Sequence, residues 1–281
     1  MDDLRKTQLL LTDMLKVFHD ICIEHSLRYY AIGGTALGAA RHQGFIPWDD
    51  DIDIGMPRPD YEQFIRIFNK EQKNKRYILE SCRSSDPLYL YPYSKIYDTQ
   101  TTLIEIVQKP IKRGIFLDIF PLDGAGNNKQ DSARLAKKID FWLNLKNLTS
   151  VSLKDKKKRS LLKKLAILFF SKGTRLLFPY EYTRNKIDSL CQTFDYEGSE
   201  IITNYSGAYR DKEFVKKSFF GKPKLYPYET IQIYCPEDLD SYLTKIYGDW
   251  KNPPPKEKQI AHHSYFLDLN HSYLDGNTSS N

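Results

Sequence analysis

The sequence predicts an α+β fold, a mixed sheet with helices packed on it, followed by an appended, mainly helical C-terminal region. Three observations carry this reading. Apolar residues recur at helical spacing near the start, and several short runs of strand character follow, one of them alternating acids with aliphatic residues. A turn-rich break, Gly124-Ala125-Gly126-Asn127-Asn128, then gives way to a lysine-rich helical pattern.

The elements follow in order. Leu10, Met14, Val17 and Ile21, with Leu11, Leu15, Phe18 and Cys22, mark an amphipathic helix from Leu10 to Leu27. Tyr29 to Ile32 reads as a short buried strand, and Gly33-Gly34-Thr35 ends it with a turn that opens an Ala-rich helix through Arg41. Asp50 to Met56 alternates acid with Ile, Ile and Met, the period of a strand with one apolar face. Pro57 and Pro59 stop it, and Asp60 is the expected N-cap of a helix carrying Tyr61, Phe64, Ile65 and Phe68 inward. Further strands are expected at Tyr77 to Glu80, Lys95 to Tyr97, Thr102 to Val107 and Ile115 to Phe120. A lysine-rich helical region then runs to about Phe178, and the remainder is punctuated by Tyr and Pro. The organisation expected is a catalytic core over 1–126, a helical and Tyr/Pro-rich region over 127–275 that completes the site, and a frayed tail over 276–281.

Composition narrows the class. With 281 residues, 41% apolar and 28% charged, the chain has the mixture of a globular protein that buries a sizeable core. MDDLRKTQLL carries acids where a secretory signal carries bases, and no apolar run approaches the roughly 20 residues of a membrane span, so a cytoplasmic protein is expected. Cys22, Cys82, Cys191 and Cys235 are far apart and form no CxxC pair, which argues for reduced, buried thiols. The net charge of +6 suits an anionic substrate or surface. Much of that excess lies in Lys154 to Arg159, ahead of an apolar stretch, and Lys154 to Phe178 has the character of a helix docked peripherally on an anionic membrane. A solvated helix packed on the domain is the competing reading.

The chemistry is concentrated in acids. In Asp49-Asp50-Asp51-Ile52-Asp53-Ile54, residues two apart on a strand share a face, so Asp51 and Asp53 project together while Ile52 and Ile54 enter the core. Two such carboxylates repel each other without a cation, and hard divalent ions, magnesium or manganese, prefer oxygen ligands. A solvated acidic turn is the plain alternative, against which the interleaved isoleucines argue. An EF-hand loop fails, because Ile54 stands where it needs glycine and Asp60 where it needs glutamate. Asp118 is the sole charge in an apolar run and needs a partner or metal; it is the candidate third ligand and the base for an attacking hydroxyl, with a structural ion pair as its other use. Asp123, just after Pro121, reads as a turn residue. Gly33-Gly34 lets the main chain approach a ligand, and the helix that follows offers N–H groups to a phosphate.

The segment Ala31 to Met56, Ala-Ile-Gly-Gly-Thr-Ala-Leu-Gly-Ala-Ala-Arg-His-Gln-Gly-Phe-Ile-Pro-Trp-Asp-Asp-Asp-Ile-Asp-Ile-Gly-Met, closely resembles the signature of the LicD family of phosphocholine transferases, which includes the fukutin-related proteins. The resemblance continues through Tyr93-Ser-Lys95-Ile-Tyr-Asp, Thr102-Leu-Ile-Glu105, Phe116-Leu-Asp-Ile-Phe-Pro-Leu-Asp123, Tyr247-Gly-Asp-Trp250, Pro253-Pro254 and His262-His263. Residues 130 to 200 carry little family information, and Ala40 stands where many relatives have valine. The family is similar in its core to nucleotidyltransferases. Carried over by position, the resemblance implies that Asp51, Asp53 and Asp118 are the catalytic and metal-binding acids. It assigns Gly33, Gly34, Thr35, Arg41, His42, Asp50, Lys95 and His263 to the substrate side. Surface salt bridges compete for Arg41, His42 and Lys95, and a surface turn for the histidine pair.

The implied reaction is magnesium-dependent transfer of phosphocholine from a CDP-choline donor to a sugar hydroxyl of a lipid-linked glycan acceptor, a teichoic acid or lipopolysaccharide precursor, with release of CMP. Phosphoglycerol, phosphoribitol or phosphoethanolamine from their CDP forms are the alternative cargoes, and nucleotidyl transfer to a small hydroxylated substrate is the alternative reaction. No nucleic acid is expected, because clustered carboxylates do not serve a module that merely binds anions. Choline requires an aromatic, weakly acidic pocket. Tyr89, Tyr91 and Tyr93 would share a strand face, but such a stripe is the mark of core packing, so the sequence assigns no cage.

Overall fold

The computed structural model describes residues 2–71, 75–84, 89, 91–106, 110–149, 176–259 and 266–275. Helix α1 spans Asp3–Glu24 and starts well before Leu10, because the Asp2 carboxylate caps it by accepting the Arg5 N–H at 2.8 Å. Its apolar stripe, Leu11, Met14, Leu15, Phe18 and Cys22, is fully buried. Strand β1 (Tyr30–Ala31) leads directly into α2 (Gly33–His42), then come β2 (Asp53–Pro57) and α3 (Arg58–Glu71). Strands β3 (Tyr77–Glu80), β4 (Ser94–Asp98), β5 (Thr102–Ile106), β6 (Pro110–Arg113) and β7 (Phe116–Gly124) complete the first half.

The main sheet has the order β1-β2-β7-β4-β3, with β2 and β7 parallel and the other neighbours antiparallel. The β2·β7 register sets Asp53 opposite Asp118, and the β4·β7 register sets Lys95 opposite Asp118. Three charged residues of distant sequence thus share one line across the sheet. The far end of β7 pairs with β8 (Ile201–Thr203), which pairs with β9 (Val215–Lys216). Helices α4 (Lys129–Thr149) and α5 (Tyr180–Cys191) pack together through Leu135, Ile139, Ile187 and Cys191. The remaining elements are a short turn of helix, α6 (Lys217–Phe220), the β10–β11 hairpin (Lys224–Tyr228, Ile231–Cys235), α7 (Leu239–Tyr247) and β12 (Phe266–Asp268), which joins β5 and β6 in a second sheet. The main apolar core joins residues 11–122 with residues 196–246, and the α4–α5 contact forms a separate cluster. All four cysteines are buried free thiols.

Several local expectations are corrected. Asp60 is not an N-cap: α3 begins at Arg58, Pro59 suits its first turn, and the Asp60 carboxylate accepts from the Arg28 N–H at 2.8 Å and guanidinium at 2.7 Å. Asp123 is not a turn residue but a buried member of β7. Arg58 grips it with two parallel bonds of 2.6 and 2.8 Å and also reaches Asp188 of α5 at 2.9 Å, tying β7, α3 and α5 together. The Tyr/Pro-punctuated region holds strands β8 to β11 that local periodicity did not mark. Most of Lys154 to Phe178, with its membrane-helix reading, and the tail after Asp275 lie outside the described residues. Among the described residues no helix is long and apolar enough to cross a membrane.

Removing Arg58 strands the Asp123 carboxylate in the interior. Arg58→Ala is expected to cost about 3–5 kcal/mol of unfolding free energy, read from the denaturant midpoint, and an unchanged midpoint would refute this account of the α3–β7–α5 junction.

Candidate active site

The acids meet at a cavity of about 630 Å³ whose wall includes Gly33, Gly34, Arg41, Asp49, Asp51 and Asp53 from the N-terminal half. Residues Asn204, Gly207, Tyr209, Glu213, Tyr242, Tyr247 and Trp250 close it from the C-terminal half. The segment before β2 alternates: Asp49, Asp51 and Asp53 face the cavity, whereas Ile52 and Ile54 have no exposed surface. Asp50 does not line the cavity, and the same alternation explains why Asp49 does. Asp49 is held through its backbone, its N–H donating to Ile46 O and its carbonyl accepting from the Gln8 amide of α1, both at 2.9 Å.

Asp53 is fixed from both sides. Its N–H donates to Thr35 Oγ1 at 2.8 Å and its carbonyl accepts from Ile32 N–H at 3.1 Å, which pins β2 to the start of α2. Thr35 is fully buried in this bond and does not reach the cavity. Gly33 adopts φ +53°, and a Cβ there would lie 3.1 Å from Asp53 Oδ2; at Gly34 it would lie 2.7 Å from Asp49 Oδ2. The two glycines therefore make room for carboxylates of the chain itself. The Gly33 N–H is not offered to a phosphate, since it donates to Tyr242 Oη at 3.0 Å.

Asp118 sits beside Asp53 in the sheet, 8% exposed, with Lys95 Nζ 2.9 Å from its Oδ1. Lys95 is 1% exposed and does not line the cavity. Its ammonium is enclosed by Asp118, by Glu105 at 3.9 Å, and by the rings of Phe116 and Tyr91 at 3.2 and 4.4 Å. It is a counter-charge to Asp118 rather than a surface cation, and Tyr91 serves Lys95. Burial pushes the Asp118 carboxyl up to about 6 against the opposing pull of Lys95. Asp53 is also raised well above the usual carboxylate range, by burial first and then by Asp51, Asp118 and Asp49.

Arg41 lines the cavity and donates to Trp250 O at 2.9 Å. His42 is exposed outside it, accepting the Arg41 Nε–H at 3.0 Å, and burial and Arg41 hold its ring below the usual histidine range. His263 and His262 lie outside the described residues. A larger cavity of about 1260 Å³ lies between the start of α4 and the 196–221 segment, but its acids, Glu197, Glu200 and Asp211, alternate with Arg28, Lys129, Lys216, Lys217 and Lys245 and form no cluster.

The donor set fits a hard divalent cation. Asp51 and Asp53 present oxygens to one cavity, and burial together with Asp51, Asp118 and Asp49 raises the Asp53 carboxyl well above the usual carboxylate range, a shift that a bound cation would oppose. Among the described residues no group of three or more His, Cys, Asp or Glu side chains is placed to hold a metal ion, so the candidate donors in the cavity are Asp51 and Asp53.

An α+β sheet core with an acid-floored cavity beside a glycine-started helix defines a transferase of the nucleotidyltransferase-like class. A family model described as "LicD/FKTN/FKRP, nucleotidyltransferase domain" matches residues 26–141. Over 271 residues the chain is 31% identical to the lipopolysaccharide cholinephosphotransferase LicD of Haemophilus influenzae, covering 92% of this chain and 96% of that protein. It is 36% identical over 86 residues to an uncharacterized protein of Rickettsia typhi, 27% of this chain and 28% of the other. A segment of 30 residues, 11% of this chain and 6% of the relative, is 57% identical to the human ribitol 5-phosphate transferase FKRP. The chain belongs to the LicD family and is an enzyme, a transferase.

The clustered acids make a sign prediction. Folded Asp53 keeps its proton to higher pH than a free aspartate, so metal-free native protein loses stability as pH rises from about 4 through the folded-state value. Asp53→Asn removes that loss. Its melting temperature in chelator at pH 8 is expected above wild type, by about 2–4 °C for each kcal/mol of repulsion relieved, with the gap narrowing toward pH 4. A gap independent of pH would show that the repulsion is not the cause.

Proposed function

We propose that the enzyme transfers phosphocholine from CDP-choline to a sugar hydroxyl of a cell-surface glycan precursor, releasing CMP. The observation that carries this is the row Asp49, Asp51 and Asp53 lining one cavity together with Tyr209, Tyr242, Tyr247 and Trp250. The full-length similarity to a lipopolysaccharide cholinephosphotransferase supports the choice of cargo and acceptor class.

Asp51 and Asp53 would hold the divalent cation, which supplies neutralisation of the diphosphate charge as the CMP oxygen leaves. The acceptor oxygen forms a bond to the choline-bearing phosphorus, the bond from that phosphorus to the CMP oxygen breaks, and the acceptor's proton passes to a carboxylate of the 49–51–53 row. Phosphoryl transfer demands little covalent chemistry of the protein, so the chain's contribution is positioning and charge. Arg41, at the cavity wall, is the cation placed to meet a phosphate oxygen. Asp118 and Lys95 act beneath the floor: the pair keeps negative charge beside Asp53 without exposing a base to substrate. This replaces the expectation that Asp118 takes the proton and Lys95 the diphosphate.

Incubation with magnesium and a panel of CDP-choline, CDP-ethanolamine, CDP-glycerol and CDP-ribitol tests the reading. CMP release from CDP-choline is expected, and Asp51→Asn or Asp53→Asn should lower it by at least roughly 10²–10³-fold. Pyrophosphate as the product would make the enzyme a nucleotidyltransferase, and CMP from another member of the panel alone would move the cargo to that alcohol.

A further inference from the structure

The cavity contains one buried acid that the transfer chemistry does not use; the other spare acid, Asp249, is exposed and accepts from the Asn252 amide at 2.7 Å. Glu213 ends the short helical turn Arg210–Glu213, is 8% exposed, and lines the same cavity as the aspartate row. Gly207 fits over it so closely that a Cβ there would lie 2.1 Å from Glu213 Oε1. The other buried acids paired by this chain face a cation: Asp60 faces Arg28, Asp98 faces Arg76, Asp118 faces Lys95 and Asp123 faces Arg58. Glu213 has no such partner among the described residues, and it accepts only the Tyr209 N–H at 3.3 Å. The neighbouring Lys212 donates away from it, to Ile246 O at 2.9 Å. A buried carboxylate with no internal cation is costly, and a ligand that brings a positive charge removes the cost.

What surrounds Glu213 limits the kind of cation. Tyr209, Tyr242, Tyr247 and Trp250 line the same cavity; Tyr209 meets Tyr247 edge to face at 5.2 Å, and their hydroxyls bond at 3.1 Å. Tyr209 and Tyr242 stand within electrostatic reach of both Glu213 and Asp53, so both rings lie near the two acidic centres. A primary ammonium needs several acceptors for its three N–H groups, and one carboxylate among rings supplies too few. A quaternary ammonium donates no such bonds and is held by ring faces and an unpaired negative charge.

We propose that Glu213, with Tyr209, Tyr247 and Trp250, forms the subsite for the trimethylammonium group of the donor, and that Glu213 sets the enzyme's preference for choline over uncharged alcohols. This rests on the phosphocholine reading of the same cavity and names the residues that select the cargo. The subsite shares the cavity with the aspartate row, so one donor can present its headgroup to Glu213 and its phosphates to the aspartates.

The test separates charge from shape. Calorimetric binding of CDP-choline is compared with the CDP ester of 3,3-dimethylbutanol, its neutral isostere, in wild type, Glu213→Gln and Tyr209→Leu. Wild type is expected to favour the choline ester by about tenfold, and each substitution to shrink that advantage to within about twofold. The advantage persisting in both variants overturns the proposal, as does equal binding of the two esters by wild type. A fall in turnover of both esters alike, with the binding ratio intact, would make Glu213 a proton acceptor and also overturn it. Tyr209 is partly exposed, so Tyr209→Leu keeps the test open if Glu213→Gln does not fold. Absence of CMP release from CDP-choline by wild type would sink the reaction assignment, whereas the binding ratio reports on the subsite alone.

Discussion

Negative charge held close together out of water is the constraint around which this molecule is built. Asp49, Asp51, Asp53 and Asp118 converge at one end of a central strand pair, and Asp53 feels all the others. The fold tolerates this through three devices of different kinds. Lys95 is sealed under rings to give Asp118 a counter-charge, two glycines withdraw side-chain atoms from the carboxylates they face, and Thr35 and Ile32 clamp the Asp53 backbone. These supports hold the acids close together while Asp49, Asp51 and Asp53 still line the cavity.

The contrast with Asp123 sharpens the point. It lies five residues from Asp118 on the same strand and is just as buried, yet a bidentate arginine satisfies it and links three elements. A planar guanidinium saturates a carboxylate, whereas a single ammonium leaves oxygen lone pairs available. Asp118 is paired by Lys95 and keeps a poorly satisfied oxygen; Asp123 is paired by Arg58 and becomes structural. One strand thus carries an acid that supports the candidate site and an architectural one, distinguished by the identity of the base that meets them.

Period-2 alternation made Asp51 and Asp53 legible, because a strand's two faces are a local property of the chain. The same rule applied one step earlier includes Asp49 and excludes Asp50; starting the strand at Asp50 hid this. Thr35, His42 and Lys95 are adjacent to the site in sequence but turned from the cavity, since neighbouring positions on a helix or strand face different ways. Lys95 could be recognised as a partner of Asp118 only once the register of β4 on β7 was known. Glu213, Tyr209 and Tyr242 carry no local signal, for they reach the site by tertiary packing of short elements on α2. Strands β10 and β11 escaped for a related reason: a two-stranded hairpin packed on helices need not alternate polar and apolar residues cleanly.

The division of labour across the cavity also follows the division of the sequence. The residues matched by the family-wide model, 26–141, include every acid of the central sheet, and the aromatic wall with Glu213 comes from 209–250, beyond that span. Relatives within the family are named for different alcohols, choline in one and ribitol in another. Chemistry at the phosphorus is the same whatever alcohol the phosphate bears, so the acids and their supports can remain as they are while the cargo changes. The alcohol end makes different demands: a polyol needs hydrogen-bond donors and acceptors, and a methylated cation needs faces of rings and one uncompensated charge. Placing those demands on a short helical turn and the end of α7, apart from the strands that hold Asp53 and Asp118, lets one set of side chains be exchanged without disturbing the buried charge balance of the other.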